Sequence, residues 1–143
     1  MNARTPPSPE GLRRAKVAWE QSAADLRDAQ ARLRDGAGLE SSFFSLQAAL
    51  NALAAVSRLY GHVQLPNHSP AQMLALCREA DARFASLGDA VAALETVQEQ
   101  DPFRGPHAPG GMESGRKALA DATAVHKTVR AFLKEHRKTY FSP

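Results

Sequence analysis

Two side chains in one irregular stretch carry the most chemistry in this sequence. Arg104 and His107 lie within Asp101-Pro102-Phe103-Arg104-Gly105-Pro106-His107-Ala108-Pro109-Gly110-Gly111-Met112, where three prolines and three glycines preclude regular structure. A guanidinium offers a planar set of donors suited to a phosphate, and an imidazole adds a second donor or carries a proton near neutral pH. Gly105, with Gly110 and Gly111, lets the backbone approach an anion closely. Loops of this length inside compact domains are uncommon and disproportionately functional or mobile. The competing reading is that Arg104 caps a helix or pairs with Asp101, and the loop only connects.

A second group of candidates is basic. Lys127, Arg130, Lys134, Arg137 and Lys138 are opposed only by Glu135 and could contact the phosphates of a nucleic acid, releasing their counterions. Basic residues near a helix C-terminus also follow from the helix dipole alone, and no aromatics interleave with them. Arg58 and His62 close another helix and could join an anion site; the dipole accounts for them without a ligand. Gln47 and Asn51, four apart on an otherwise apolar helix, require hydrogen-bond partners if buried, in a dimer interface or in a core network. The five histidines show no i,i+4 pair, no HExxH and no cysteine at ligand spacing, so neither a metal nor another cofactor is expected. No phosphate-loop, dinucleotide or nucleophile-elbow pattern supports a conventional enzyme class.

The elements that must hold these residues are all helical. Ser8-Pro9-Glu10 reads as an N-cap, a first-turn proline and a first-turn acid, opening a helix over about 9–35 that Gly36 and Gly38 terminate. Within it Leu12, Trp19, Leu26 and Leu33 recur every seven residues. A second helix over about 40–60 carries Phe43, Phe44, Leu46, Leu50, Leu53, Val56 and Leu59 on more than one stripe, so it is central and part of its cover could come from a second subunit. Ser69-Pro70-Ala71-Gln72 is a capping box that starts a short third helix. A break is expected near Gly88, a fourth helix up to Asp101-Pro102, and a fifth capped by Ser114 and running to about Lys138. No strand-like alternation and no internal repeat are present, so the expected architecture is an antiparallel up-and-down bundle of four long helices plus one short one.

Length and composition agree with one domain over residues 9–138, with tails at 1–8 and 139–143. The chain has 143 residues, 43% hydrophobic and 23% charged, which sets aside disordered, collagen-like and disulfide-scaffold classes. The best uncharged run, Ser41 to Ser57, carries six polar residues and reads as a buried helix rather than a membrane span. The N-terminus does not resemble a secretory signal, and the single Cys77 cannot form an internal disulfide, so a cytoplasmic location is expected. Cys77, in an apolar helical stretch, reads as a small core residue. The net charge of +3 permits a polyanionic partner without requiring one.

The stretch Ser42-Phe43-Phe44-Ser45-Leu46-Gln47-Ala48-Ala49-Leu50-Asn51-Ala52-Leu53 resembles the central helix of the HEPN family, with its aromatic and Gln-Ala pair. Gly61, then His68 before the helix Met73-Leu74-Ala75-Leu76, is similar to that family's short helix beginning with a histidine. Phe103-Arg104-Gly105-Pro106 looks like a divergent form of its Arg-Tyr-Pro loop, and the last helix, with Ala118, Ala122 and Val129, also fits. The resemblance spans about 17–136 and implies a helical bundle, often dimeric, whose members bind nucleotides, pair with small nucleotidyltransferases as toxin-antitoxin systems, or cleave RNA. The family's ribonucleases carry an Arg four to six residues from a His. Arg130 and His136 match that spacing but sit at the wrong end of the last helix, about 120° apart around it. The expectation is therefore a cytoplasmic HEPN-like homodimer that binds a nucleotide or nucleic acid without turnover, with a nucleotidyltransferase as partner. The alternatives are a noncatalytic protein-interaction module without a small ligand and an RNA-cleaving toxin.

Overall fold

A computed structural model describes residues 7–61, 69–99 and 111–136, and every element among them is helical. The elements are α1 (Pro9–Arg34), α2 (Gly38–Leu59), α3 (Pro70–Ala80), α4 (Gly88–Glu95) and α5 (Gly111–His136), with 3-10 segments at Ala82–Leu87 and Thr96–Glu99 flanking α4. Three helices are long, of 26, 22 and 26 residues. The expected fourth long helix is instead the eight-residue α4 between two 3-10 segments, and with the short α3 before it these make one composite leg. Helix α3 ends at Asp81, and Gly88, where a break is expected, is the point at which the 3-10 segment passes into α4. Asp81 adopts an extended backbone and its carboxylate accepts from the Arg83 amide at 2.8 Å, which ends α3 and caps the 3-10 segment.

The helix starts read from sequence hold where a local cap decides them. Ser8 Oγ accepts from the Gly11 amide at 2.9 Å, Pro9 occupies the first helical position, and Glu10 pairs with Arg14 at 2.6 Å. At α3 the reciprocal box is complete, with the Gln72 amide donating to Ser69 Oγ at 3.2 Å and the Ser69 amide to Gln72 Oε1 at 2.7 Å. Ser69→Ala is expected to lower stability by about 1 kcal/mol, measurable as a shift in the urea midpoint with unchanged slope. At the other end of α2, Gly61 has φ +85°, the left-handed conformation that lets the chain leave the helix.

Helices α1 and α2 form an antiparallel pair whose seam is made of small residues. Gly11 lies against the Leu59 carbonyl, Ser22 against Ala48, and Ala29 against Ser41. The backbones approach so closely that hydroxyls of one helix reach carbonyls of the other: Ser22 Oγ donates to Ala48 O and Ser41 Oγ to Ala29 O, each at 2.7 Å. These bonds satisfy side chains that are fully buried and would otherwise be destabilising. Ala15, Ala18, Ala48, Ala52 and Ala55 complete the fit.

Helix α5 runs in the same sense as α2 and against α1. Gly115 meets Gly38 and Leu33 at one end, and Phe132 meets Tyr60 at the other, with ring centroids 6.5 Å apart. Cys77 lies beside Leu53, and Asp81 is close enough to Tyr60 to add to the rise that burial imposes on its phenol pKa. Thus α3 descends alongside α2, a departure from strict up-and-down alternation, and α4 then returns along α5. Phe84 packs edge-on against Phe132 at 5.2 Å, over which Arg83 also lies at 5.4 Å.

The centre of the molecule is α2, as its dispersed apolar pattern indicates. Its buried residues face α1, α5 and the composite leg within one chain, so a second subunit is not required to cover them. Phe43, Phe44 and Leu50 remain half-buried, and Val17 is the one large hydrophobic residue that is exposed among the described residues. None of the described helices is long and apolar enough to cross a membrane.

Candidate functional site

Arg104, Gly105 and His107 lie outside the described residues, as do His62, Arg137 and Lys138. Arg58 occupies the last turn of α2, half-buried, with its carbonyl accepting from the Gly61 amide at 3.0 Å. The structure therefore brings together one part of the sequence-derived set, the second half of α5.

There Lys127, Arg130 and Lys134 follow one another at spacings of three and four, which places them on one face of the helix. None of the three has an ion-pair partner among the described residues. Glu135, the one acid in this stretch, is drawn to the other side: Arg83 holds it at 2.7 Å while also binding Asp81 at 3.2 Å. Both carboxylates raise the pKa of Arg83, through the hydrogen bond to Glu135 first and that to Asp81 second. Glu135 thus serves the contact between α5 and the 3-10 segment, and the basic face keeps its charge. At the opposite end of the helix Lys117 is neutralised by Asp121 at 2.6 Å.

The basic face borders a polar group that sequence reasoning missed. His126 stacks on Trp19 with centroids 4.2 Å apart and planes 16° apart, and its Nδ1 lies 3.1 Å from Ser22 Oγ. Burial, and then the charge of Arg130 one turn further along α5, push the imidazole pKa down to about 4. Arg130 itself has a buried Nε without a hydrogen-bond partner among the described residues. On the α1–α2 side of the seam, buried Asp25 accepts from Gln21 Nε2 at 2.9 Å and Asn51 Nδ2 at 2.8 Å. Asn51 is thus satisfied within the chain, and Gln47 is exposed, so neither needs a partner subunit. The heptad reading of α1 marks Trp19. Nothing local marks Ser22 and His126 as neighbours, since they are 104 residues apart.

The other candidates are inert or small. Cys77 donates to the Leu53 carbonyl at 3.4 Å, and burial raises its thiol pKa to about 12, so it behaves as a core residue. Among the described residues no group of His, Cys, Asp and Glu is arranged to hold a metal ion. A cleft of about 110 Å³ between α4 and α5 is lined by Ala93, Thr96, Val97, Ser114, Lys117 and Asp121, the last two paired with each other along α5.

No family model, no curated protein and no solved structure matches the chain.

Proposed function

We propose that the chain is a small helical module that binds a nucleic acid or nucleotide through phosphate contacts, without turnover, using the second half of α5. The observation that supports this reading is the face formed by Lys127, Arg130 and Lys134, because the one acid in the same stretch of α5, Glu135, is held by Arg83. From Lys127 to Lys134 the helix rises about 10 Å, roughly three nucleotide steps of a strand at ~3.4 Å each. Arg137 and Lys138 continue the same run in sequence, and Arg104 and His107 are the loop residues proposed to add further phosphate donors. The HEPN-like identity belongs to this proposal. A central α2 flanked by α1 and α5 supports it, and a homodimer or a nucleotidyltransferase partner would follow from it.

Fluorescence anisotropy with a short labelled single-stranded RNA tests the reading. Lys127→Gln with Lys134→Gln is expected to weaken binding about tenfold or more and to reduce the slope of log affinity against log salt by about 1.4, that is ~0.7 per lost contact. A double variant that binds with unchanged affinity and slope removes the site. Titration of ATP in parallel decides whether a mononucleotide suffices.

A further inference from the structure

Positive charge lines both walls of the groove between α1 and α5, of which phosphate binding by the second half of α5 uses only part. Two contacts fix the register of these antiparallel helices: Trp19 stacks on His126, and Leu33 lies against Gly115. Lys16 is therefore level with Arg130, and Arg27 is within about one turn of Arg116. Around α1, Lys16, Ala23 and Arg27 lie about 40–80° beyond Trp19, while Ser22, which meets α2, lies on its other side. Around α5, Arg116, Thr123, Lys127, Arg130 and Lys134 lie about 40–100° beyond His126, while Phe132, which meets Tyr60, lies on its other side. Both sets thus open onto the same side of the helix pair, away from α2.

The charge on these walls is poorly neutralised. Arg27 and Arg116 are exposed, and neither side chain has a hydrogen bond or ion pair among the described residues. Lys16 has Glu20 at 3.9 Å, a loose surface pair. Asp28 lies on the face of α1 opposite Trp19, Asp121 is held by Lys117 and Glu135 by Arg83, and Glu113 lies beyond the last cation. Between the two charged levels stand Ala23 and Thr123, whose hydroxyl is turned back to the Leu119 carbonyl at 2.7 Å, so the middle of the groove is walled by small side chains.

We propose that this groove seats a single nucleic-acid strand of about eight nucleotides, its phosphates held from both helices. Arg27 and Arg116 take one end, and Lys16 with Lys127 and Lys134 the other. The inference rests on the phosphate-binding reading of α5 and gives it a ligand class. From Arg116 to Lys134 the groove runs about 27 Å, roughly eight steps of a stacked strand at ~3.4 Å each. A mononucleotide reaches one end only. The axes of packed helices lie about 8–10 Å apart, which leaves a groove for one strand and none that a duplex enters.

The test is fluorescence anisotropy of the full chain at low salt with labelled oligouridylates of about 4, 8 and 12 nucleotides. Affinity is expected to rise about tenfold or more from the shortest to the middle length and then to level off. Arg27→Gln with Arg116→Gln is expected to weaken binding of the middle length about tenfold and to lower its salt slope by about 1.4, leaving the shortest strand unaffected. Arg78→Gln, an exposed arginine on α3, is the control and is expected to bind like the parent. The groove is overturned by a double variant with the parent's affinity and slope, by an equal loss in Arg78→Gln, or by no rise between the two shorter lengths. If Lys127→Gln with Lys134→Gln still weakens binding in that case, the contact along α5 stands without the groove. If no RNA binds at all, both readings fall.

Discussion

Gly38→Ala is expected to destabilise the protein by about 3 kcal/mol or more, the upper range for overpacking a rigid contact. A Cβ at this position overlaps the carbonyl of Gly111 and crowds the amide nitrogen of Met112. Both are backbone atoms, which cannot rotate away as the end of a side chain can. Gly115 contributes the other half of the same crossing, since its Cβ would lie 2.7 Å from the Gly38 carbonyl oxygen and 3.1 Å from Leu33 Cδ1. Relief requires the starts of α2 and α5 to separate, which would expose Ala118 and Ala122. Gly88→Ala is the control. Gly88 is already helical at φ −54°, and nothing lies within 4 Å of an added Cβ, so this change is expected to stabilise by about 0.5 kcal/mol. Urea unfolding of the three variants checks the ranking. Equal midpoints for Gly38→Ala and Gly88→Ala would show that the crossing is not closely packed.

The second large effect is a loss of stability in mild acid. His126 titrates at about 4 in the folded chain, against 6.5 for an unperturbed histidine. Between these values the unfolded chain binds the proton and the folded chain does not, so stability falls as pH falls. The contribution is fully present above pH 6.5 and declines progressively towards pH 4. At 1.36 kcal/mol per pH unit, and with the part of the ring that stays in solvent screening the charge, a shift of this size corresponds to roughly 1–2 kcal/mol. The cause is physical. A charge on this ring would be desolvated against Trp19 and would face Arg130. His126→Gln, which keeps a polar planar group near Ser22, is expected to flatten the dependence of the urea midpoint on pH between 6.5 and 4. A variant as acid-sensitive as the parent assigns the effect to other groups.

The features legible in the sequence are those set by neighbouring residues. Ser8-Pro9-Glu10 and Ser69-Pro70-Ala71-Gln72 start helices because a hydroxyl three positions away meets an orphan amide, and the structure shows both bonds. The stripe of Lys127, Arg130 and Lys134 is equally readable, because helical period alone places it on one face. Attention to large apolar residues, however, misjudged the packing of α1. Of Leu12, Trp19, Leu26 and Leu33, only Trp19 is fully buried, and the closest approach to α2 is set by alanines and serines whose role no periodicity of large side chains reveals. The end of α3 was missed for a similar reason. Asp81 acts as a cap through its own backbone conformation, while Gly88, the apparent breaker, marks only the passage from the 3-10 segment into α4. The diversion of Glu135 by Arg83 and the meeting of Ser22 with His126 are tertiary, and a sequence gives them no local mark.

The antiparallel pair of α1 and α2 has a consequence for how the molecule assembles. The two helices are joined by only three residues and meet along their whole length, so bringing them together closes a very short loop at little entropic cost. Helix α5, in contrast, finds Ser22 and Gly38 only after most of the chain has been made. The hairpin is therefore the natural nucleus, and docking of the last helix, which completes the crossing at Gly38 and closes the ring of His126 over Trp19, is the step that commits the chain to its final state.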